Sequence, residues 1–224
     1  MNRYFIILLL FFAEDISSQI FHSINNTELK YSKRIEITSR DTVKLSNNAL
    51  GRWIKILPIR KAYDHSSMIP NKLHEIEYES FFLDSSQNIE NLVLKNLQPH
   101  TFYITKLDTI ESKFSSPYPI HLINESFIQI VVRENDDFIG SITEMLGTPF
   151  LLPTQNIYKY GHHTDLNIGA DCAELAIYGR RRQGYKVPYC GPKGIIKYLK
   201  YTNKFGSGTI IHFGFQVSIV YKDN

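Results

Sequence analysis

From residue 20 to about 128, apolar and polar positions largely alternate in short runs, at 33–37, 53–56, 76–80 and 102–105. A period of two sends successive side chains to opposite faces, so each run reads as a half-buried strand. Turn-forming residues separate the runs at 46–48, 84–86 and 98–100. Short strands at this spacing predict a β-sandwich-like domain. Phe127–Val132 is its last strand, which bounds the domain at residues 20–132.

Beyond it the period lengthens to that of a helix. Asn135, Asp136 and Asp137 offer N-cap oxygens ahead of a helical pattern over 138–146, and Gly147 and Pro149 stop it. A polar and aromatic loop over 153–169 carries His162, His163 and Asp165. A second helix is predicted over 172–182, with Ala173, Leu175, Ala176 and Ile177 at its apolar positions, and a third over about 194–201 behind Pro192. Two apolar runs, 208–213 and 215–221, read as one or two strands meeting at Gly214. The expected fold is α+β, with a second domain over 133–224.

Ahead of these elements, Arg3, the apolar run Tyr4–Phe12 and the small or polar Ala13, Ser17 and Ser18 have the form of a secretory signal over residues 1–19. The run is too short to span a bilayer as a helix. The expectation is a secreted or periplasmic chain with no integral membrane segment once the signal is removed. Hydrophobic residues are 43% of the chain and aromatic residues 13%, which excludes a disordered, collagen-like or coiled-coil protein. The net charge of +3, with no basic block longer than Arg180–Arg182, does not call for nucleic acid. No motif asks for a cofactor, and the sequence carries no sign of oligomeric state.

Candidate chemistry centres on Cys172, placed where a glycine-containing loop becomes a helix. Free N–H groups and the positive end of the helix dipole favour a thiolate there, and the same N–H groups can hold an oxyanion. A histidine in reach would complete a nucleophile–base pair. His212 is the candidate, because an imidazole in an apolar C-terminal run needs a partner or a role. On one continuous strand, residues 212 and 216 lie on the same face, which would place Gln216 beside it as an orienting group. Three readings compete: Cys172 as an inert small core residue, His212 as a core histidine bonded to a carbonyl, and a Cys172–Cys190 cystine that silences the thiol. His162, His163, Asp165 and Cys190 lack metal-ligand spacing, so no metal is assigned. The Arg180–Arg182 run has two readings, a solvated helix end and a grip on acidic substrate groups.

Several local motifs resemble the NlpC-type cell-wall peptidases, a branch of the papain-like cysteine peptidases. Leu146–Phe150 matches their Leu-Gly-Thr-Pro-aromatic turn, Asp171–Cys172 their Asp-Cys helix start, and Arg181–Gly184 their basic helix exit. Gly208–Tyr221 matches their glycine-led strand, turn and strand, with Gln216 standing directly before Val217-Ser218-Ile219-Val220 where the family has its histidine. The resemblance covers residues 138–221. It implies a papain-like domain and a cysteine peptidase or amidase acting on cell-wall peptides. In that reading Cys172 attacks, His212 serves as base and then acid, and Gln216 assists. Asp171, His163 and Arg181 would line the substrate site. The family's third polar residue, which orients the histidine from a later strand, has no counterpart after Gln216. The resemblance therefore also fits a truncated chain, or an inactive papain-like scaffold whose β-rich half carries a binding function.

Overall fold

The structure, a computed structural model, describes residues 19–64, 73–83 and 88–221. The predicted signal over 1–19 lies almost wholly outside the described residues, as does the turn at 84–86. The fold is mixed α+β and mostly strand. Among the described residues no helix is long and apolar enough to cross a membrane.

Among the described residues, ten strands precede the first helix. They are β1 (Phe21–Ile24), β2 (Lys30–Tyr31), β3 (Arg34–Thr38), β4 (Val43–Ser46), β5 (Arg52–Pro58), β6 (Ala62–Asp64), β7 (Ile76–Phe82), β8 (Asn91–Leu94), β9 (His100–Leu107) and β10 (Lys113–Ser116). The four runs read from the sequence correspond to β3, β5, β7 and β9. Helix α1 (Ile120–Ile123) and strand β11 (Phe127–Arg133) follow. One sheet has the order β2-β1-β4-β8 and a larger one the order β10-β7-β5-β9-β11-β3. In the larger sheet β3 runs parallel to β11, and the other neighbours are antiparallel.

Strand alternation decides what lies on each face of the larger sheet. Ile35, Ile37, Trp53, Phe102, Ile104, Ile128, Ile130 and Val132 share one core with Val43 and Leu45 of the smaller sheet. The intervening residues Ile54, Ile56, Tyr78 and Tyr103 point the other way. They form a second core with Leu151, Ile157 and Ile168 from the C-terminal half. The larger sheet is therefore covered on both sides, which is why β9 and β11 are buried almost throughout. Trp53 is fully buried and still satisfies its indole N–H on the carbonyl of Ile89, at 2.9 Å.

In the C-terminal half, α2 (Phe138–Thr143) is shorter than the predicted 138–146, and turns carry the chain on to Thr148. Its N-cap is Asp137, which accepts from the amide of Gly140 at 2.7 Å. Short strands β12 (Phe150–Leu152), β13 (Asn156–Ile157) and β14 (Gly161–His162) lead to α3 (Cys172–Arg182). The predicted helix over 194–201 is only α4 (Pro192–Ile195), followed by a 3-10 turn over 196–198. The chain then forms β15 (Ile210–His212) and β16 (Val217–Ile219).

Helices α2 and α3 meet at Gly179. A Cβ there would lie 2.7 Å from Phe138 Cε2 and 2.9 Å from Ile142 Cγ1. Gly179→Ala is expected to cost about 1–3 kcal/mol, despite alanine's better helix propensity, because overpacking outweighs it. Urea denaturation checks this. A variant as stable as the wild type would mean that the two helices do not pack this closely.

A buried polar network joins α3 to the larger sheet. Glu144, fully buried, accepts from the Tyr178 hydroxyl and from Arg182 Nη2 at 3.0 Å, with Arg133 Nη1 at 3.5 Å. Arg182 also reaches Glu36 on β3. Arg34 donates to Asn167 at 2.7 Å and to Gln129 on β11 at 3.1 Å, and Asn167 donates to the Tyr178 hydroxyl at 2.9 Å. These bonds fix the orientation of the helix that begins at Cys172.

Candidate functional site

Two loops bring Cys172 to its place. Leu151 N donates to the carbonyl of Ala170 at 3.1 Å, and Phe150 bridges Ala170 in parallel register. The Leu146–Phe150 turn thus runs directly beside the Asp171–Cys172 helix start. Gly169 permits this approach, since a Cβ there would lie 2.6 Å from both Leu151 Cγ and the carbonyl oxygen of Pro149. Asp171 is the N-cap of α3, and its Oδ1 accepts from Glu174 N at 2.8 Å. Burial raises the Asp171 carboxyl above its usual range.

Cys172 is half-buried on the wall of a cleft of about 540 Å³. Ile139, Ile142, Met145, Pro149, Leu175, Val217 and Ile219 make its surface mainly apolar. Asp171, Thr148, Gln216 and Ser218 supply the polar edges. The thiols of Cys172 and Cys190 are both free, so the cystine is not formed, although both residues pack on one apolar cluster with Val217 and Ile195.

The C-terminal strands form a tight hairpin rather than one continuous strand. Phe213 N donates to the carbonyl of Gln216 at 2.8 Å, and Gly214 turns the chain at φ +74°. The shared-face expectation for residues 212 and 216 therefore fails. His212 pairs across the hairpin with Val217, while Gln216 belongs to the turn. Gln216 lines the cleft with Cys172, and His212 does not. Both ring nitrogens of His212 are occupied. Nδ1 accepts from Gly214 N at 3.2 Å, which leaves Nε2 as the donor to the carbonyl of Pro192 at 3.1 Å.

The other predicted substrate contacts lie elsewhere. His163 is fully buried behind the loop, where its Nδ1 accepts from Gln155 N at 3.0 Å and its ring faces His74. A side chain with no exposed surface cannot touch a substrate in the cleft. Arg181 holds Asp165 at 3.0 Å, donates to the carbonyl of Val187 and covers the Tyr189 ring. It lines a different surface depression, with Arg34 and Tyr185, so its role here is to brace the loop against α3.

No pattern in the sequence marks the buried carboxyl of Glu174. Thr164 Oγ1 donates to it at 2.8 Å, and His162 Nε2 lies 3.7 Å away, with the His162 ring stacked on Tyr189. Burial raises Glu174 to about 7. The position three residues after a helix N-cap fits a capping box, but here the side chain turns inward to Thr164. Burial also pushes His121 and His163 down to about 3. The signs oppose one another. The histidines contribute stability above about pH 6.5 that is lost as pH falls toward 3. Glu174 contributes stability below about pH 4.5 that is lost as pH rises through 7. Glu174→Gln is therefore expected to gain on the wild type as pH rises from 4.5 to 7.5, read from urea midpoints at both ends. A constant difference between the two proteins would contradict the buried, raised carboxyl.

No family model, curated protein or solved structure matches the chain.

Proposed function

We propose that the chain binds a peptide in the Cys172 cleft on a papain-like scaffold and does not cleave it. The β-rich half, two sheets around one core, would be a sandwich-like binding or positioning module. One observation carries the reading: Gln216, and no imidazole, lines the cleft that Cys172 lines, while His212 is hydrogen-bonded to Pro192 and Gly214. A carboxamide can orient an amide ligand, but it cannot take the thiol proton. The apolar walls and polar edges suit a peptide with an apolar side chain, and the resemblance to NlpC-type enzymes points to cell-wall peptides as the class to try.

A second reading, an exported cysteine peptidase or amidase, is favoured by one feature. His212 stands across from Val217, and Val217 packs in the same cluster as Cys172. Breaking the two hydrogen bonds of the ring would free it for the role of base.

The test is alkylation of Cys172 at about pH 6 with iodoacetamide, followed by peptide mapping, with and without a soluble cell-wall peptide. Binding without cleavage predicts that the peptide slows labelling and is recovered intact, and that His212→Ala leaves the rate of the free protein unchanged. Recovery of cleaved peptide, or a rate about tenfold lower in His212→Ala, supports the hydrolase. Labelling unaffected by peptide contradicts cleft binding.

A further inference from the structure

The modest net charge of the chain hides a strong asymmetry. Between Leu175 and Tyr221 there are eight Lys and Arg residues and no Asp or Glu, which leaves the rest of the chain net acidic. The three helix arginines are already engaged. Arg181 pairs with Asp165, Arg182 pairs with Glu36 and Glu144, and Arg180 lies over the rings of Phe138 and Tyr185. Lys193, Lys197, Lys200 and Lys204 are exposed, and none is ion-paired among the described residues.

Large exposed aromatic side chains lie between and after these lysines along the chain. Tyr201 is 92% exposed, Phe205 77%, Phe213 57% and Phe215 84%. The segment 192–199 folds back along β15: Pro192 holds His212 at one end, and Leu199 shares an apolar cluster with Ile210 at the other. The hairpin tip, Phe213-Gly214-Phe215, thus emerges beside the start of the lysine-bearing segment. Exposed phenylalanine is costly in water and gains from an apolar partner, while lysines gain from an anionic one.

We propose that this surface docks on an anionic lipid bilayer, with Phe205, Phe213 and Phe215 entering the acyl boundary and the four lysines meeting the headgroups. An acyl layer under an anionic rim supplies both kinds of contact at once. Nucleic acid would be served better by free arginine forks, and here the arginines are already paired. The proposal does not depend on the reading of the Cys172 cleft.

The test is co-sedimentation of the chain with phosphatidylcholine vesicles, pure or containing about 30% phosphatidylserine. Binding to the anionic vesicles at least about tenfold tighter than to the neutral ones, and weakened by salt, is expected. Both Phe213→Ser/Phe215→Ser and Lys197→Glu/Lys200→Glu/Lys204→Glu should reduce it about tenfold or more, with melting curves unchanged because all five side chains are exposed. Circular dichroism confirms the fold of each variant, and a misfolded one is replaced by Phe205→Ser. Equal binding to the two vesicle types, or no binding, overturns the proposal. So does binding that survives in both variants, tight capture of a single-stranded oligonucleotide without vesicle binding, or self-association that the phenylalanine variant abolishes while vesicles stay free of protein.

Discussion

Glu144→Ala is expected to lower the unfolding free energy by about 3 kcal/mol, the largest stability effect of any single side chain considered for this fold. The carboxylate is fully buried and meets Tyr178, Arg182 and Arg133. Removing one member of a buried ionic network typically costs about 3–5 kcal/mol, because the remaining charges lose their compensation. Here the cost sits at the lower end. Arg182 keeps Glu36, Arg133 keeps Asp136 at 2.6 Å, and the Tyr178 hydroxyl keeps Asn167. Glu144→Gln retains the shape and one acceptor and should recover part of the loss. Urea midpoints measure both. Lys113→Ala, which breaks the exposed pair with Glu79, provides the comparison and should change stability by less than about 1 kcal/mol. A Glu144→Ala loss as small as the Lys113→Ala loss would mean that the network does not weld α3 to the larger sheet.

The second large effect is a gain. Gln216→His should raise the rate of Cys172 alkylation at about pH 6 by at least about tenfold in a Cys190→Ser background. Gln216 and Cys172 line the same cleft, and Gln216 occupies the place where the resemblance puts an imidazole. A histidine there can hold an imidazolium against a thiolate, the pairing that makes such sulfurs reactive below neutral pH. The side chain at 216 is exposed, so the substitution disturbs no core. The rate follows from iodoacetamide time courses read by mass spectrometry, with Cys172→Ser as the blank. An unchanged rate would mean that position 216 does not face the sulfur and that the likeness of the hairpin to the family motif is only local.

How far the sequence disclosed this fold depends on whether the deciding contacts are local. Alternation in 33–37 and 76–80 marked strands because these runs bury every second residue, whereas 53–56 and 102–105 lie in the middle of the sheet and are buried almost throughout. The Asp171–Cys172 helix start was equally plain, since an N-cap and the helix behind it are written in consecutive residues. The doubly covered sheet was not visible. Ile157 and Ile168 pack on Tyr103 across a large sequence separation, in a segment that reads as a polar loop. Glu144 and Glu174 were missed for the same reason: their partners come from β11, α3 and the 162–164 turn, and no local pattern marks a carboxyl for burial. The hairpin at Gly214 turned on a single positive φ, and that angle moved His212 and Gln216 to different strands' ends. The apolar runs on either side were legible, but the turn between them decided which side chain met the thiol.

The most direct measurement is a nitrogen-15 NMR spectrum of the His212 ring in the wild type and in Cys172→Ser. An imidazole bonded to a thiol changes its ring shifts when the thiol is removed. The ring is expected to carry its Nε2 proton toward the Pro192 carbonyl and to accept from Gly214 N on Nδ1, with the same ring shifts in both proteins. Ring shifts that move when the thiol is removed would place the imidazole on Cys172 and contradict the separation of the two groups.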